Sequence, residues 1–152
     1  MSEKIVLTIG TFDLIHTGHI ELLAESARLG QLFVGVNTDA FVERYKGRRP
    51  LQSLKDRLII VSMIKGVQAA LINMGDEDSK PLIRMIQPDL ITIGDDWLDP
   101  NYDERRYHKQ LGVTPEWLKN NRIEIVYLPR TRGRSSTMIR GKSNDRRITD
   151  SD

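Results

Sequence analysis

Cysteine is absent from the chain, which excludes disulfides, thiolate metal sites and a cysteine nucleophile and leaves the redox compartment undetermined. Long apolar runs are absent too. The first, KIVLTI over 4–9, is too short for a signal peptide or a membrane span and is closely flanked by charge, so a soluble, cytoplasmic protein without a membrane span is expected. There is no internal repeat and no low-complexity linker. Neither sign of charge is in surplus: 23 Lys and Arg stand against 21 Asp and Glu in 152 residues, a net +2 that does not argue for nucleic acid by itself. Arg44, Arg48, Arg49 and the Arg146–Arg147 pair are interleaved with acids, and no stripe of aromatics is available to stack on bases, so no nucleic-acid partner is expected. What remains is the composition of a globular chain long enough for one domain with a real core. That domain is assigned to 1–141; residues 142–152 form a polar tail that buries nothing and is expected to be disordered.

Apolar runs alternate with helical patterns along the chain. The first strand is read at 4–9, almost continuously apolar as strands buried on both faces are. Thr17 is the expected N-cap of a helix over 18–29, with Glu21 in its first turn, Ile20, Leu23, Ala24 and Ala27 at helical spacing, and Gly30 as the stop. LFVGVN, 32–37, is the second strand, followed by a basic loop through Glu43, Arg44, Lys46, Arg48 and Arg49 to Pro50. Leu54, Leu58, Val61 and Ile64 mark a second helix over 51–64, with Ser53 or Pro50 near its start, and VQAALI, 67–72, is the third strand. Asp78 or Ser79 caps a third helix through Ile86, Pro88 breaks it, and DLITI, 89–93, is the fourth strand, ended by Gly94. Residues 102–121 read as a surface insertion with one or two short helices, IEIVYL, 123–128, is the fifth strand, and a short last helix is expected near 137–140. The alternation predicts an α/β fold, a Rossmann-like open parallel sheet of about five strands with helices on both faces.

In such sheets ligands bind beyond the carboxyl ends of the strands, where strand order reverses. Three polar segments meet that condition: GTFDLIHTGH after strand one, GDDW (94–97) after strand four, and RTRGRSST (130–137) after strand five. His16 and His19 lie one helical turn apart at a helix start, so both imidazoles can donate to one group in front of it. The unpaired N–H groups and positive dipole end there favour an anion such as a triphosphate. Gly10 permits close backbone approach, and Gly18 keeps the helix start clear of side-chain bulk. Lys46 lies near the same sheet edge and can reach across to phosphates, while Arg57 and Lys65 lie on the helix beyond. Arg130, Arg134, the amides around Gly133 and the hydroxyls of Ser135, Ser136 and Thr137 read together as a second anion nest.

GTFDLIHTGH resembles the signature of the nucleotidyltransferases that carry the His-x-Gly-His motif, specifically the cytidylyltransferase-like group. RTRGRSST resembles the Arg-Thr-x-Gly-x-Ser-Thr element of the same family, with Ser135-Ser136 where Ser-Thr is usual and an added charge at Arg134. The resemblance covers most of 5–139. It implies that His16, His19, Lys46 and Arg130 are catalytic and that Gly10, Thr11, Phe12, Asp13, Gly18, Asp95, Thr131, Ser135 and Ser136 bind the nucleotide, with Asp96 a further candidate. On the acceptor side it implies Lys46, Arg57, Lys65, Asp39 and Trp97; relatives of the glycerol-phosphate type carry an arginine where Lys65 stands.

The implied reaction is attack of an acceptor's phosphate oxygen on the α-phosphorus of a nucleoside triphosphate, with pyrophosphate leaving and no enzyme nucleophile. Mg²⁺ is expected to be bound mainly through the substrate phosphates, with Asp13 as a helper. GTFDLIHTGH, GDDW and YLPRTRG look like glycerol-3-phosphate cytidylyltransferase, and the expected function is transfer of CMP from CTP, the favoured nucleotide, to an alcohol phosphate such as glycerol 3-phosphate, giving a CDP-alcohol. GVNTDAFVERYKGRRPLQSLKDR, 35–57, is closer to the sugar-phosphate adenylyltransferases of the superfamily, which implies ATP and a sugar phosphate. A nucleotide-sensing module without turnover is the reading from another class, and the presence of His16, His19, Lys46 and Arg130 argues against it. A homodimer is expected, with 102–121 as an acceptor lid or dimer contact.

Overall fold

The structure, a computed structural model, describes residues 3–98, 101 and 103–130. Its strands are β1 (Ile5–Gly10), β2 (Gln31–Asn37), β3 (Val67–Asn73), β4 (Leu90–Gly94) and β5 (Glu124–Leu128). They form one sheet in the order β3-β2-β1-β4-β5, and every neighbouring pair is parallel. The helices are α1 (Thr17–Ala27), α2 (Asp39–Lys46), α3 (Leu54–Ser62), α4 (Lys80–Ile86), α5 (Arg105–Leu111) and α6 (Pro115–Asn120), with one 3-10 turn at Asp95–Trp97. This is the α/β architecture that the alternation predicts. No helix among the described residues is long and apolar enough to cross a membrane.

Successive β1 side chains serve opposite faces, which is why the run is apolar throughout. Val6 joins Leu23 of α1, Leu32 and Val34 of β2, and Val61 of α3 in one core. Leu7 and Ile9 join Leu82 and Ile83 of α4, Ile91 and Ile93 of β4, and Tyr107 and Leu111 of α5 in the other. The chain leaves β1 leftward through α1 and α3, then rightward through α4 to α6, and right-handed crossovers put these two groups on opposite faces. The reversal falls between β1 and β4. Close approach there and at the sheet rim uses small residues: a Cβ on Gly30 would lie 2.1 Å from the Lys4 carbonyl oxygen, which instead accepts the Gln31 N–H at 2.9 Å.

Two expectations change. Glu43, Arg44 and Lys46 of the basic stretch lie not in a loop but in α2, capped by Thr38, whose Oγ1 accepts from the Phe41 N–H at 3.1 Å, and closed by left-handed Gly47; only Arg48 and Arg49 remain in the loop before Pro50. Phe41 and Val42 bury its inner side, and Arg44 anchors its outer side with a bidentate contact to Glu77 and one to Asp76. That guanidinium holds the Glu77 carboxyl below its usual range. Nor is the 102–121 stretch a surface insertion. Tyr107, His108 and Leu111 share one face of α5 and are buried, as are Val113 and Leu118. The short helix near 137–140 and the tail at 142–152 lie outside the described residues.

Candidate active site at the carboxyl end of the sheet

The turn after β1 is built under strain. Phe12 and Leu14 both adopt left-handed backbone, φ 55° and 53°, a region that non-glycine residues seldom occupy. Asp13 between them holds the turn down. Its two carboxylate oxygens accept the N–H groups of Leu51 and Gln52 at 2.8 and 2.9 Å, and Gln52 Oε1 accepts the Leu14 N–H at 2.9 Å. Thr11 and Phe12 are buried; Thr11 Oγ1 lies 3.2 Å from the Tyr45 hydroxyl, and the Phe12 ring folds back over Gly10, where a Cβ would meet it at 3.0 Å. The side chains of Thr11 and Phe12 therefore shape the turn from behind.

The cap of α1 is His16, not Thr17, so the helix begins one residue earlier than the sequence suggests and Glu21 lies beyond its first turn. His16 Nδ1 accepts the Gly18 N–H at 3.0 Å, and His19 Nδ1 accepts the His16 N–H at 3.2 Å, a reciprocal capping box made of two imidazoles. An imidazole that accepts at Nδ1 carries its proton at Nε2, so both rings are set as Nε2–H donors. The rings lie against each other with centroids 4.0 Å apart and planes tilted by 40°, and His19 is 2% exposed. A Cβ on Gly18 would sit 2.8 Å from His16 Cε1, so the glycine makes room for the capping ring.

Arg130, just beyond β5, lies across from this helix start: its Nη2 would be 3.7 Å from a Gly18 Cβ. Its Nη1 pairs with Asp96 Oδ2 at 2.7 Å, and its backbone N–H donates to Asp95 Oδ1 at 3.2 Å. Asp95 and Asp96 thus hold Arg130 in place. Between α1, β4 and β5 opens a cavity of about 390 Å³, lined by Gly18, Leu22, Gly94, Asp96, Trp97 and Arg130, a volume in the range of small-molecule sites. Trp97 is both core and wall, with the Arg106 guanidinium 4.4 Å over its ring. Lys46 closes α2 with its ammonium 5.6 Å from the ring of Tyr45, the residue whose hydroxyl reaches Thr11.

Three expected acceptor contacts, Arg57, Asp39 and Lys65, are placed elsewhere. Arg57 is 0% exposed, and its guanidinium donates to the carbonyls of Thr11 (2.8 Å), Asn37 (2.8 Å) and Gln52 (3.1 Å) and to Asp39 Oδ1 (2.6 Å). It ties the ends of β1 and β2 to α2 and offers no surface to a phosphate; its partner Asp39 is drawn into the same clamp. Lys65 is exposed in the turn before β3, at the amino end of the sheet. Helix α3 runs antiparallel to the strands, so a residue beyond its end faces away from the crevice. Lys65→Ala is expected to leave kcat and both KM values within the range of about ±0.5 kcal/mol typical of surface changes, checked by steady-state kinetics. Thr131, Ser135 and Ser136 lie outside the described residues. Residues missed in the sequence are Tyr45, which sits one position before Lys46 on α2, and Arg106, whose only signal is its place on the apolar-faced α5.

Two histidines paired at a helix start, with an arginine close to that start at a switch-point crevice, suit a polyphosphate, and with His16-Thr17-Gly18-His19 they place the chain among the His-x-Gly-His nucleotidyltransferases. Within them it belongs to the cytidylyltransferase-like family, whose model matches residues 7–142. It is similar to the bifunctional protein HldE of Wolinella succinogenes, 40% identical over 97 residues that make up 62% of this chain and 20% of that protein. The bifunctional protein HldE of Yersinia pestis (strain Pestoides F) is 31% identical over 126 residues, 82% of this chain and 25% of that one. The chain thus spans a fifth to a quarter of these curated relatives' length. A solved structure of the lipopolysaccharide core biosynthesis protein from Thermoplasma volcanium matches with a TM-score of 0.63 at 30% identity, covering 84% of this chain and 98% of that one. Pantothenate synthetase from Thermus thermophilus shares the fold, with a TM-score of 0.55 at 14% identity over 87% of this chain and 58% of that one.

Proposed function

We infer that this chain transfers a nucleoside monophosphate from a nucleoside triphosphate, with ATP favoured, to a phosphate oxygen of a sugar phosphate, releasing pyrophosphate. The observation that carries the reading is the imidazole capping box, which fixes His16 and His19 as Nε2–H donors at the start of α1. Donors held by the fold stabilise charge on the phosphoryl oxygens without reorganising during the reaction. Lys46 approaches from the α2 side. Arg130 exchanges Asp96 for a phosphate oxygen as the triphosphate binds, so the Asp96 pair keeps the guanidinium aligned until then. Among the described residues no group of three or more His, Asp or Glu is placed to hold a metal, and both Asp13 oxygens accept backbone N–H groups. Mg²⁺ held mainly by the triphosphate's own oxygens would neutralise phosphate charge there.

Support for a sugar phosphate comes from the similarity to the lipopolysaccharide core biosynthesis protein over nearly its whole length, and from the 35–57 segment that resembles sugar-phosphate adenylyltransferases. The Gly94–Trp97 segment favours the second reading, CTP with glycerol 3-phosphate. Pyrophosphate release measured for each nucleoside triphosphate against sugar phosphates and glycerol 3-phosphate separates them. The expected outcome is turnover with ATP and a sugar phosphate; turnover confined to CTP and glycerol 3-phosphate would overturn the specificity, and silence across the panel would overturn transfer itself.

A further inference from the structure

Strands β2 and β3 both end in asparagine after apolar runs, and the two side chains meet behind the first turn. Asn73 is 1% exposed and its Nδ2 donates to Asn37 Oδ1 and to Ser79 Oγ, each at 3.1 Å. Both amide hydrogens are thereby used, which fixes the carboxamide's orientation, and Asn73 Oδ1 has no hydrogen-bond partner among the described residues. Trp97 Nε1 is likewise buried without one. A buried donor or acceptor left so is rare enough in a native fold to ask what completes it. Asn73 and Trp97 line the same small chamber, about 10 Å³, closed by Phe12, Tyr45 and Gln110. That volume admits about one water-sized group. Phe12 is also in ring contact with His19, centroids 5.7 Å apart, so the chamber adjoins the reacting end of the site. Outward it shares Tyr45, Trp97 and Gln110 with a wider depression of about 420 Å³ between α2 and α5.

We propose that this chamber reads a hydroxyl of the acceptor: Asn73 Oδ1 accepts from, and Trp97 Nε1 donates to, one hydroxyl of a polyhydroxylated phosphate whose phosphate lies at His16 and Lys46. An acceptor-only oxygen and a donor-only N–H are the complement of hydroxyl groups, which do both. Asn37 and Ser79 act as positioning residues for the carboxamide. The proposal rests on the transferase reading above. Steady-state kinetics of Asn73→Ala and of Trp97→Phe, on the acceptor that the wild-type chain uses best, test it. The expected result in both is an acceptor KM raised about tenfold, the scale of one lost hydrogen bond, with the nucleoside triphosphate KM unchanged. Trp97→Phe keeps the aromatic wall and so remains informative should the Asn73 variant fail to fold. An unchanged acceptor KM, or equal rises in both KM values, overturns the chamber assignment while leaving transfer intact; a wild-type chain silent on every acceptor overturns both.

Discussion

His16→Ala or His19→Ala is expected to lower kcat by about 10²–10³-fold, the usual cost of removing one preorganised donor from a site of developing negative charge. Neither histidine is a nucleophile here, so the loss should fall on kcat with smaller changes in KM. Each substitution also breaks half of the capping box, and a lost cap costs about 0.5–2 kcal/mol of stability. The two effects separate in His16→Ser, which restores an N-cap oxygen for the Gly18 N–H but no Nε2 donor. Its melting temperature should recover relative to His16→Ala while its turnover stays low. Pyrophosphate release at saturating substrates, run beside thermal melts, checks this; wild-type turnover in either alanine variant would sink the mechanism.

Arg57→Ala should destabilise the fold by about 3–5 kcal/mol. Arg57 is the largest fully buried side chain among the described residues, and its removal strands the carbonyls of Thr11, Asn37 and Gln52 as well as the Asp39 carboxylate. In a domain of this size that is a melting-temperature loss on the order of 10 °C. Arg57→Lys should recover little, because an ammonium cannot reproduce the planar fork that reaches three elements at once. Had Arg57 been a phosphate ligand, the alanine variant would instead melt normally and show a raised acceptor KM, so melting and kinetics together decide between the roles.

Strand positions, the parallel sheet and the approach of the first turn, the Gly94–Trp97 segment and Arg130 to one crevice were legible because each depends on local pattern plus a general rule of chain crossing; residues 131–137 of the third segment lie outside the described residues. The capping role of His16 was legible too, in principle: His-x-x-His has the spacing of Ser-x-x-Glu, with an acceptor at each end. Helix α2 was missed because only Phe41, Val42 and Tyr45 of its eight residues, besides Ala40, are apolar or aromatic, while Thr38 and Gly47 marked its two ends. The burial of α5 was hidden by its charged outer face, although Tyr107 and Leu111 stand at helical spacing. Arg57 and Lys65 looked equivalent as helical cations. What separates them is distance along α3 and carbonyl partners 5 to 46 residues away, which spacing within the segment cannot reveal.

The place of β1 at the centre of the sheet has a consequence for how the molecule is made. Its first residue exchanges hydrogen bonds with Asp89: Ile5 N–H donates to the carboxylate and Asp89 N–H to the Ile5 carbonyl, each at 2.8 Å and 84 residues apart in the chain. As the polypeptide leaves the ribosome, β1, β2 and β3 can pair early, but the other side of β1 stays open until β4 has been synthesised. Long-range parallel pairing of this kind is slow. The crevice is therefore incomplete until β4 pairs with β1, and a chain arrested before that step would carry the two histidines beside an unpaired strand edge, the feature most prone to association.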